Sequence, residues 1–469
     1  MRVRDFFQGP DLQRNRGRTR RFFQKGFFRS KNDRAQGWGW LMNRDFLKRS
    51  FQFPWSTQTD KRVHPPVMDK ETVTPKDLFE KCRKFTRATE VKKSGVYPYF
   101  CPIQSSQEPE IVLDGRKMLM LGSNSYLGLT THPKVIGAAL AAVQRYGSSC
   151  AGSRFLNGTL EIHEQLEERL AEFVGKEQAI VFTTGFQTNL GTISTLVSKG
   201  DRVITDKVDH ASIIDGARLS YGRMLRFNHN SAEDLERVLA NCDGKGGRLV
   251  VVDGVFSMDG DIADLPAIVE VSERWGARVM VDDAHGIGVM GPMGQGTTEH
   301  FGLTDRVALI MGTFSKSFAS IGGFVAGDNE VMEYVRHHSR SLIFSASLPP
   351  AQVASVLAVL DIIKEEPDRL DRLWDNTHYL RNGLDSLGFD TGCTETPIIP
   401  VMIGKDMLCF QTWLALREEG IFVNPIITPA VQPGQALIRL SVMATHERRH
   451  LDRGLEVFER VGKKLGLIE

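Results

Sequence analysis

No apolar run in the 469 residues approaches the roughly 20 that a membrane-spanning helix needs, so no such span is expected. The six cysteines, Cys82, Cys101, Cys150, Cys242, Cys393 and Cys409, are scattered, without a CxxC pair or a histidine at ligand spacing. That pattern argues against a disulfide framework and a zinc site and fits a reducing compartment. Arg2 and Arg4 have no apolar stretch behind them, so a secretory signal is not expected and the chain reads as cytoplasmic. No internal repeat is visible. Net charge is also nearly absent, at +2, but it is unevenly spread. Residues 1–70 carry 17 Lys+Arg against 6 Asp+Glu, or +11, which leaves 42 against 51, or −9, for the remainder.

What is present divides the chain. Residues 1–75 are rich in Arg, Gln, Asn and Gly, hold three of the six Trp, and keep no helical or strand period. A basic, poorly ordered extension is expected there, ending near the turn at His64-Pro65-Pro66. An arginine and aromatic arm can meet nucleic acid or an anionic membrane surface, while a solvated tail or a start assigned too far upstream gives the same composition. From Pro75 to Lys93 the spacing of Leu78, Phe79, Cys82 and Phe85 predicts a helix.

Beyond it, short apolar runs alternate with helical spacing for about 250 residues. The runs are Ala179–Phe182, Arg202–Thr205, Arg248–Asp253, Arg278–Asp282 and Val307–Met311; the helical stretches include Glu164–Phe173, Ala232–Ala240 and Pro266–Trp275. This alternation predicts an α/β fold with a mostly parallel sheet covered on both faces. After Pro349-Pro350, a long helix over Ala351–Glu366 and strands at Pro397–Val401 and Leu437–Ser441 suggest a smaller α+β domain.

In such a sheet, ligands sit at the carboxyl ends of the strands, and polar residues gather at those ends here. Asp282 closes one run and is followed by Asp283-Ala284-His285-Gly286. Thr313, Ser315 and Lys316 follow a second run, Thr183-Thr184-Gly185-Phe186 follows a third, and His210 comes shortly after a fourth. Singly, each has a bland reading: a solvated lysine, a turn aspartate, a structural histidine, a tight turn into a helix. Together they supply an amine, a carboxylate, two imidazoles and donors for a phosphate, which is the set pyridoxal phosphate (PLP) requires.

The ordered motifs point further. Ser123-Asn-Ser-Tyr-Leu-Gly128, Gly147-Ser-Ser-Cys-Ala-Gly-Ser-Arg154, Asn157-Gly-Thr159, His163-Glu-Gln-Leu166, Asp282-Asp-Ala-His-Gly286 and Phe344-Ser-Ala-Ser-Leu-Pro-Pro350 fall within residues 95–465. In these the chain resembles the α-oxoamine synthases, fold-type I PLP enzymes that condense an amino acid with an acyl-CoA and release CO2. The resemblance implies an aspartate aminotransferase-like fold: an N-terminal segment over 76–125, a large PLP-binding domain over 126–348 and a small C-terminal domain over 349–469. It implies that Lys316 is the Schiff-base lysine and later the base at Cα, that Asp282 pairs with the pyridinium nitrogen, and that His285 bonds the ring's phenolic oxygen. His210 would stack on the ring. Gly185, Phe186, Thr313 and Ser315 would hold the phosphate, joined by Ser345 from a dimer partner. Arg439 would grip the substrate carboxylate, with Asn124 and Ser125 also at the substrate. A homodimer with shared active sites follows, without a metal and without nucleic acid, and with a peripheral membrane contact left open.

Within the family, Phe314-Ser-Lys-Ser317 with Gly322-Gly323-Phe324, and Arg340 to Pro350, are similar to serine palmitoyltransferases. This implies L-serine and palmitoyl-CoA as substrates and 3-oxosphinganine, CoA and CO2 as products. One position departs: some of those enzymes carry a second arginine twelve residues before the one matched by Arg439, where this chain has Ile427. A relative using glycine or alanine, such as glycine C-acetyltransferase or 8-amino-7-oxononanoate synthase, is the alternative. A non-catalytic subunit of a heteromeric synthase is the reading from another class, and it would lack Lys316.

Overall fold

The computed structural model describes residues 76–93 and 95–469, so the basic arm over 1–75 lies outside the described residues. The single helix expected up to Lys93 is instead two short ones, Glu80–Arg83 and Arg87–Lys93. Thr86 separates them: its carbonyl accepts the Glu90 amide at 3.0 Å and so opens the second helix. Leu78, Phe79 and Phe85, the expected apolar face, are exposed. Helical spacing alone does not sustain a helix of that length.

Strands β1 (Glu110–Leu113) and β2 (Arg116–Met120) form a hairpin. The central sheet is built from β3 (Gln178–Phe182), β4 (Arg202–Asp206), β5 (Arg223–Phe227), β6 (Arg248–Asp253), β7 (Arg278–Asp282), β8 (Leu309–Thr313) and β9 (Gly323–Gly327). Their order is β3-β9-β8-β7-β6-β4-β5. Neighbours from β5 to β8 run parallel, and β9 is antiparallel to both β8 and β3. The mostly parallel α/β architecture read from the sequence is therefore present, with β9 as the one reversed strand. Further on, β10 (Ile398–Gly404), β12 (Asn424–Ile426) and β13 (Ala436–Ser441) make an antiparallel sheet, and β11 (Ile421–Phe422) pairs with β2. Strands from the two ends of the sequence thus share one small sheet.

The valine-rich strands explain the layers. In β6, Val250 and Val252 enter one core with Val279, Val281 and Ile310, while Val251 enters the other with Met280, Leu309 and Met311. Alternate residues of a strand point to opposite faces, so a run apolar at every position marks a sheet covered twice. Beneath the loop after β8, Phe314 stacks on Phe324 of β9 at 5.8 Å, both fully buried. Phe324→Ala is expected to lower unfolding free energy by about 3–5 kcal/mol, measured by denaturant titration; a loss under about 1 kcal/mol would mean that the site collapses around the gap.

Candidate active site

Because β3, β4, β6, β7 and β8 point the same way, their carboxyl ends meet along one sheet edge. There Gly185, Phe186, His210, Asp253, Asp282, His285, Thr313, Ser315 and Lys316 line a common cavity of about 380 Å³. The helix Gly185–Leu196 starts directly after β3, with Thr184 as its cap: the Thr184 hydroxyl accepts the Gln187 amide at 3.1 Å. The Gly185 and Phe186 amides precede the first intrahelical bonds, so they are free donors at the positive end of the helix. A Cβ on Gly185 would fall 2.7 Å from the Thr313 hydroxyl, so glycine keeps that end of the cavity open. Thr313 and Ser315 stand beside it, their hydroxyls 3.0 Å apart.

Asp282 ends β7 with almost no exposure and accepts from two donors. Asn189 reaches one oxygen at 2.6 Å and the Ala284 amide reaches the other at 3.1 Å. Asn189 also donates to Ser212 at 2.9 Å, and Ser212 meets His210 Nδ1 at 2.7 Å. The carboxylate and the exposed His210 ring are thus linked through one amide and one hydroxyl. His285 sits 2.7 Å from the Tyr126 hydroxyl through Nδ1. Burial, reinforced by Lys316 and Arg439, holds its proton affinity well below the usual histidine range, so the ring is neutral.

Lys316 follows β8 and is partly buried. Burial pushes its amine down to about 8 despite the opposing pull of Asp282 and Asp253. Behind the turn that carries His210, His229 is clamped by Asp206 at 3.2 Å and Asp261 at 3.0 Å. The Asp206 bond leads the causes that raise its proton affinity to about 10.

Four expected residues do not line this cavity: Arg439, Asn124, Ser125 and Ser345. Arg439 is buried, with Nε donating to the Ser257 carbonyl at 2.6 Å and Nη1 to the Ser441 hydroxyl at 2.8 Å. Ser257 itself lines the cavity, so Arg439 stands one residue behind its wall. Asn124 Oδ1 and the Ser125 hydroxyl are buried without a partner among the described residues. Ser345 accepts from Gln187 of the same chain at 3.3 Å, beside the first turn of the helix Gly185–Leu196. Ile427 is buried in the apolar core and offers nothing to a carboxylate.

Sequence reasoning passed over Asn189, Tyr126, Asp253 and His229. Asp253 carried a signal, since it ends a strand exactly in register with Asp282. Asn189 and His229 carried none, because their partners lie 93 and 23 residues away along the chain.

The donors present fit pyridoxal phosphate: an amine of low proton affinity, a buried carboxylate with two donors, a neutral imidazole, and a helix N-terminus with hydroxyls and an open glycine. The comparisons agree. The aminotransferase class I and II profile matches residues 116–458. A serine palmitoyltransferase of Sphingobacterium spiritivorum is 50% identical over 387 residues, covering 82% of this chain and 97% of that protein. An 8-amino-7-oxononanoate synthase of Symbiobacterium thermophilum is 46% identical, covering 81% and 97%. A solved serine palmitoyltransferase structure holding PLP superposes with a TM-score of 0.81 at 38% identity, covering 84% of this chain and all of that one.

Proposed function

Because this chain belongs to the α-oxoamine synthases of the class I and II aminotransferase family, we propose that it condenses L-serine with palmitoyl-CoA, giving 3-oxosphinganine, CoA and CO2. The observation that carries the reading is the convergence of Lys316, Asp282, His285 and the Gly185–Phe186 amides on one cavity, together with half-identity to a serine palmitoyltransferase over nearly its whole length.

When bound, pyridoxal phosphate supplies an electron sink for the pair released at the amino acid's α-carbon. Lys316 anchors it and then takes the α-proton, a task suited to an amine poised near pH 8. Asp282 keeps the ring nitrogen protonated, since a fixed buried anion favours the cationic ring. A neutral Tyr126 phenol donating to Nδ1 leaves His285 with its proton on Nε2, available to the ring's phenolic oxygen. His210, fixed through Ser212, covers the ring face and orients the amino acid. Gly185, Phe186, Thr313 and Ser315 hold the phosphate.

Arg439 grips the serine carboxylate through its guanidinium, and Asn124 and Ser125 contribute at the same substrate. With Ile427 in place of a second arginine, Arg439 is the one charged partner in that contact. Arg439→Ala is therefore expected to raise the KM for serine about 10- to 100-fold, the worth of one charged hydrogen bond, with a smaller change in the KM for the acyl-CoA. Equal changes in both would remove Arg439 from the amino-acid site.

A homodimer with shared sites belongs to the same proposal. Phe186 and Ile321 line the cavity yet are 43% and 49% exposed, and Phe344, next to Ser345, is 70% exposed; a second copy would cover them. A cytoplasmic location accords with six unpaired cysteines, and no helix among the described residues is long and apolar enough to cross a membrane. Titrating L-serine, glycine and L-alanine into the PLP-loaded protein, read by the cofactor's visible absorbance, tests the amino-acid half. Tightest saturation by serine supports it; preference for glycine or alanine moves the chain to another member of the family.

A further inference from the structure

We propose that Asp253 is carried as a neutral carboxylic acid, and that it is a positioning residue which fixes the turn bearing His210 while withholding a second negative charge from Lys316. The argument begins with register. Asp253 ends β6 and Asp282 ends β7, and the two are direct partners across the parallel pair. Equal register puts both side chains on one face, where both line the cavity with Lys316 and both are buried.

Two carboxylates sharing a buried site do not both ionise cheaply, so one retains a proton. Their donors decide which. Asp282 has the Asn189 amide at 2.6 Å and the Ala284 amide at 3.1 Å. Asp253 has one weaker donor, the His210 backbone amide at 3.1 Å. The anion settles where the donors are, and Asp253 keeps the proton.

The groups facing Asp253 divide. From the turn after β4, Asp209 opposes its ionisation; the Asp209 oxygens accept from the Asp206 and Asp253 amides at 2.8 and 3.0 Å, and burial, then Asp206, raises its own proton affinity well above the usual carboxylate range. From β7, Asp282 opposes it too. Lys316, from the loop after β8, and the His210 amide favour it. Burial leads the causes, followed by Asp282 and Asp209, and together they raise the Asp253 proton affinity well above the usual carboxylate range.

The consequence rests on the reading of Lys316 as the working amine. An ionised Asp253 adds to the pull of Asp282 on the lysine proton; a neutral one withholds that part of the pull. The bond from His210 N to Asp253 does not need the charge, because a neutral acid's carbonyl oxygen still accepts.

The test uses the full-length apoprotein. The infrared difference between wild type and Asp253→Asn at pH 7 is expected to show loss of a neutral-acid carbonyl band, and Asp282→Asn is expected to show loss of a carboxylate band. The pH midpoint for acylation of Lys316 by an amine-selective reagent, followed by peptide mass, should be the same in Asp253→Asn as in wild type. Loss of a carboxylate band from Asp253→Asn, or a fall of that midpoint by about one pH unit or more, overturns the proposal. Should Asp253→Asn fail to fold, Asp253→Ser gives the same difference spectrum. A wrong substrate assignment would leave all of these readings unchanged, so the two failures are distinguishable.

Discussion

Lys316→Ala is expected to lower turnover by about 10²- to 10⁴-fold, the range for loss of a positioned acid–base group, without weakening the fold. The reason lies in where the amine sits. Burial takes it down to about 8 despite the pull of nearby carboxylates, so about a tenth is free base at pH 7, against about three parts in ten thousand for an ordinary lysine. Its reactivity toward an acylating reagent in the apoprotein should rise with pH and level off above about 8. The stability sign follows from the same shift. A base whose folded proton affinity is depressed costs stability as pH falls from its unfolded value of 10.5 to its folded value of about 8, and the cost is constant below. Alanine removes that cost, so the variant apoprotein should unfold at the same temperature as wild type or higher at pH 7. A variant that retains turnover within about threefold of wild type would remove Lys316 from the chemistry.

The second large effect is expected at Asp282. Its carboxylate is buried, with Asn189 and the Ala284 amide already donating to it, and in the proposed reading it would pair with the cofactor's ring nitrogen. Removing one member of a buried charge pair costs about 3–5 kcal/mol, which corresponds to about two to four orders of magnitude. Asp282→Asn should therefore lose PLP on dialysis that leaves wild type loaded, and should turn over about 10²- to 10⁴-fold more slowly at saturating PLP. The asparagine keeps an oxygen for Asn189, but its amide now faces the Ala284 amide, donor against donor. Unchanged cofactor retention together with unchanged turnover would show that the ring nitrogen does not depend on this carboxylate.

Much of this was legible in the residues because the chemistry lies at strand ends. Runs such as Arg248–Asp253 and Arg278–Asp282 begin and end in the structure where their apolar content begins and ends, since burial on both faces demands an unbroken apolar run. The strand before Lys316 starts two residues later than read, at Leu309, and continues through Gly312 and Thr313. Glycine there signals a turn in sequence, yet in the sheet it makes room: a Cβ on Gly312 would lie 2.4 Å from the Phe324 ring. Strand β9, Gly-Phe-Val-Ala-Gly, was passed over for the same reason. Gly323 approaches so closely that its Cβ would sit 2.8 Å from Gly185 Cα. The helix expected up to Lys93 failed in the opposite sense, its spacing being correct but Leu78, Phe79 and Phe85 lying exposed. Links such as Asp282 to Asn189 and His285 to Tyr126 were hidden because they join elements 93 and 159 residues apart, which only the topology brings together.

The most direct test of the central claim is a mass-resolved product assay on purified, PLP-loaded protein. Serine, glycine or alanine would be supplied in turn with acetyl-, pimeloyl-, succinyl- or palmitoyl-CoA, with Lys316→Ala as the blank. The account predicts that serine with palmitoyl-CoA yields 3-oxosphinganine well above every other pair and that the blank yields about 10²- to 10⁴-fold less. A dominant product from another pair, such as alanine with pimeloyl-CoA, would contradict it.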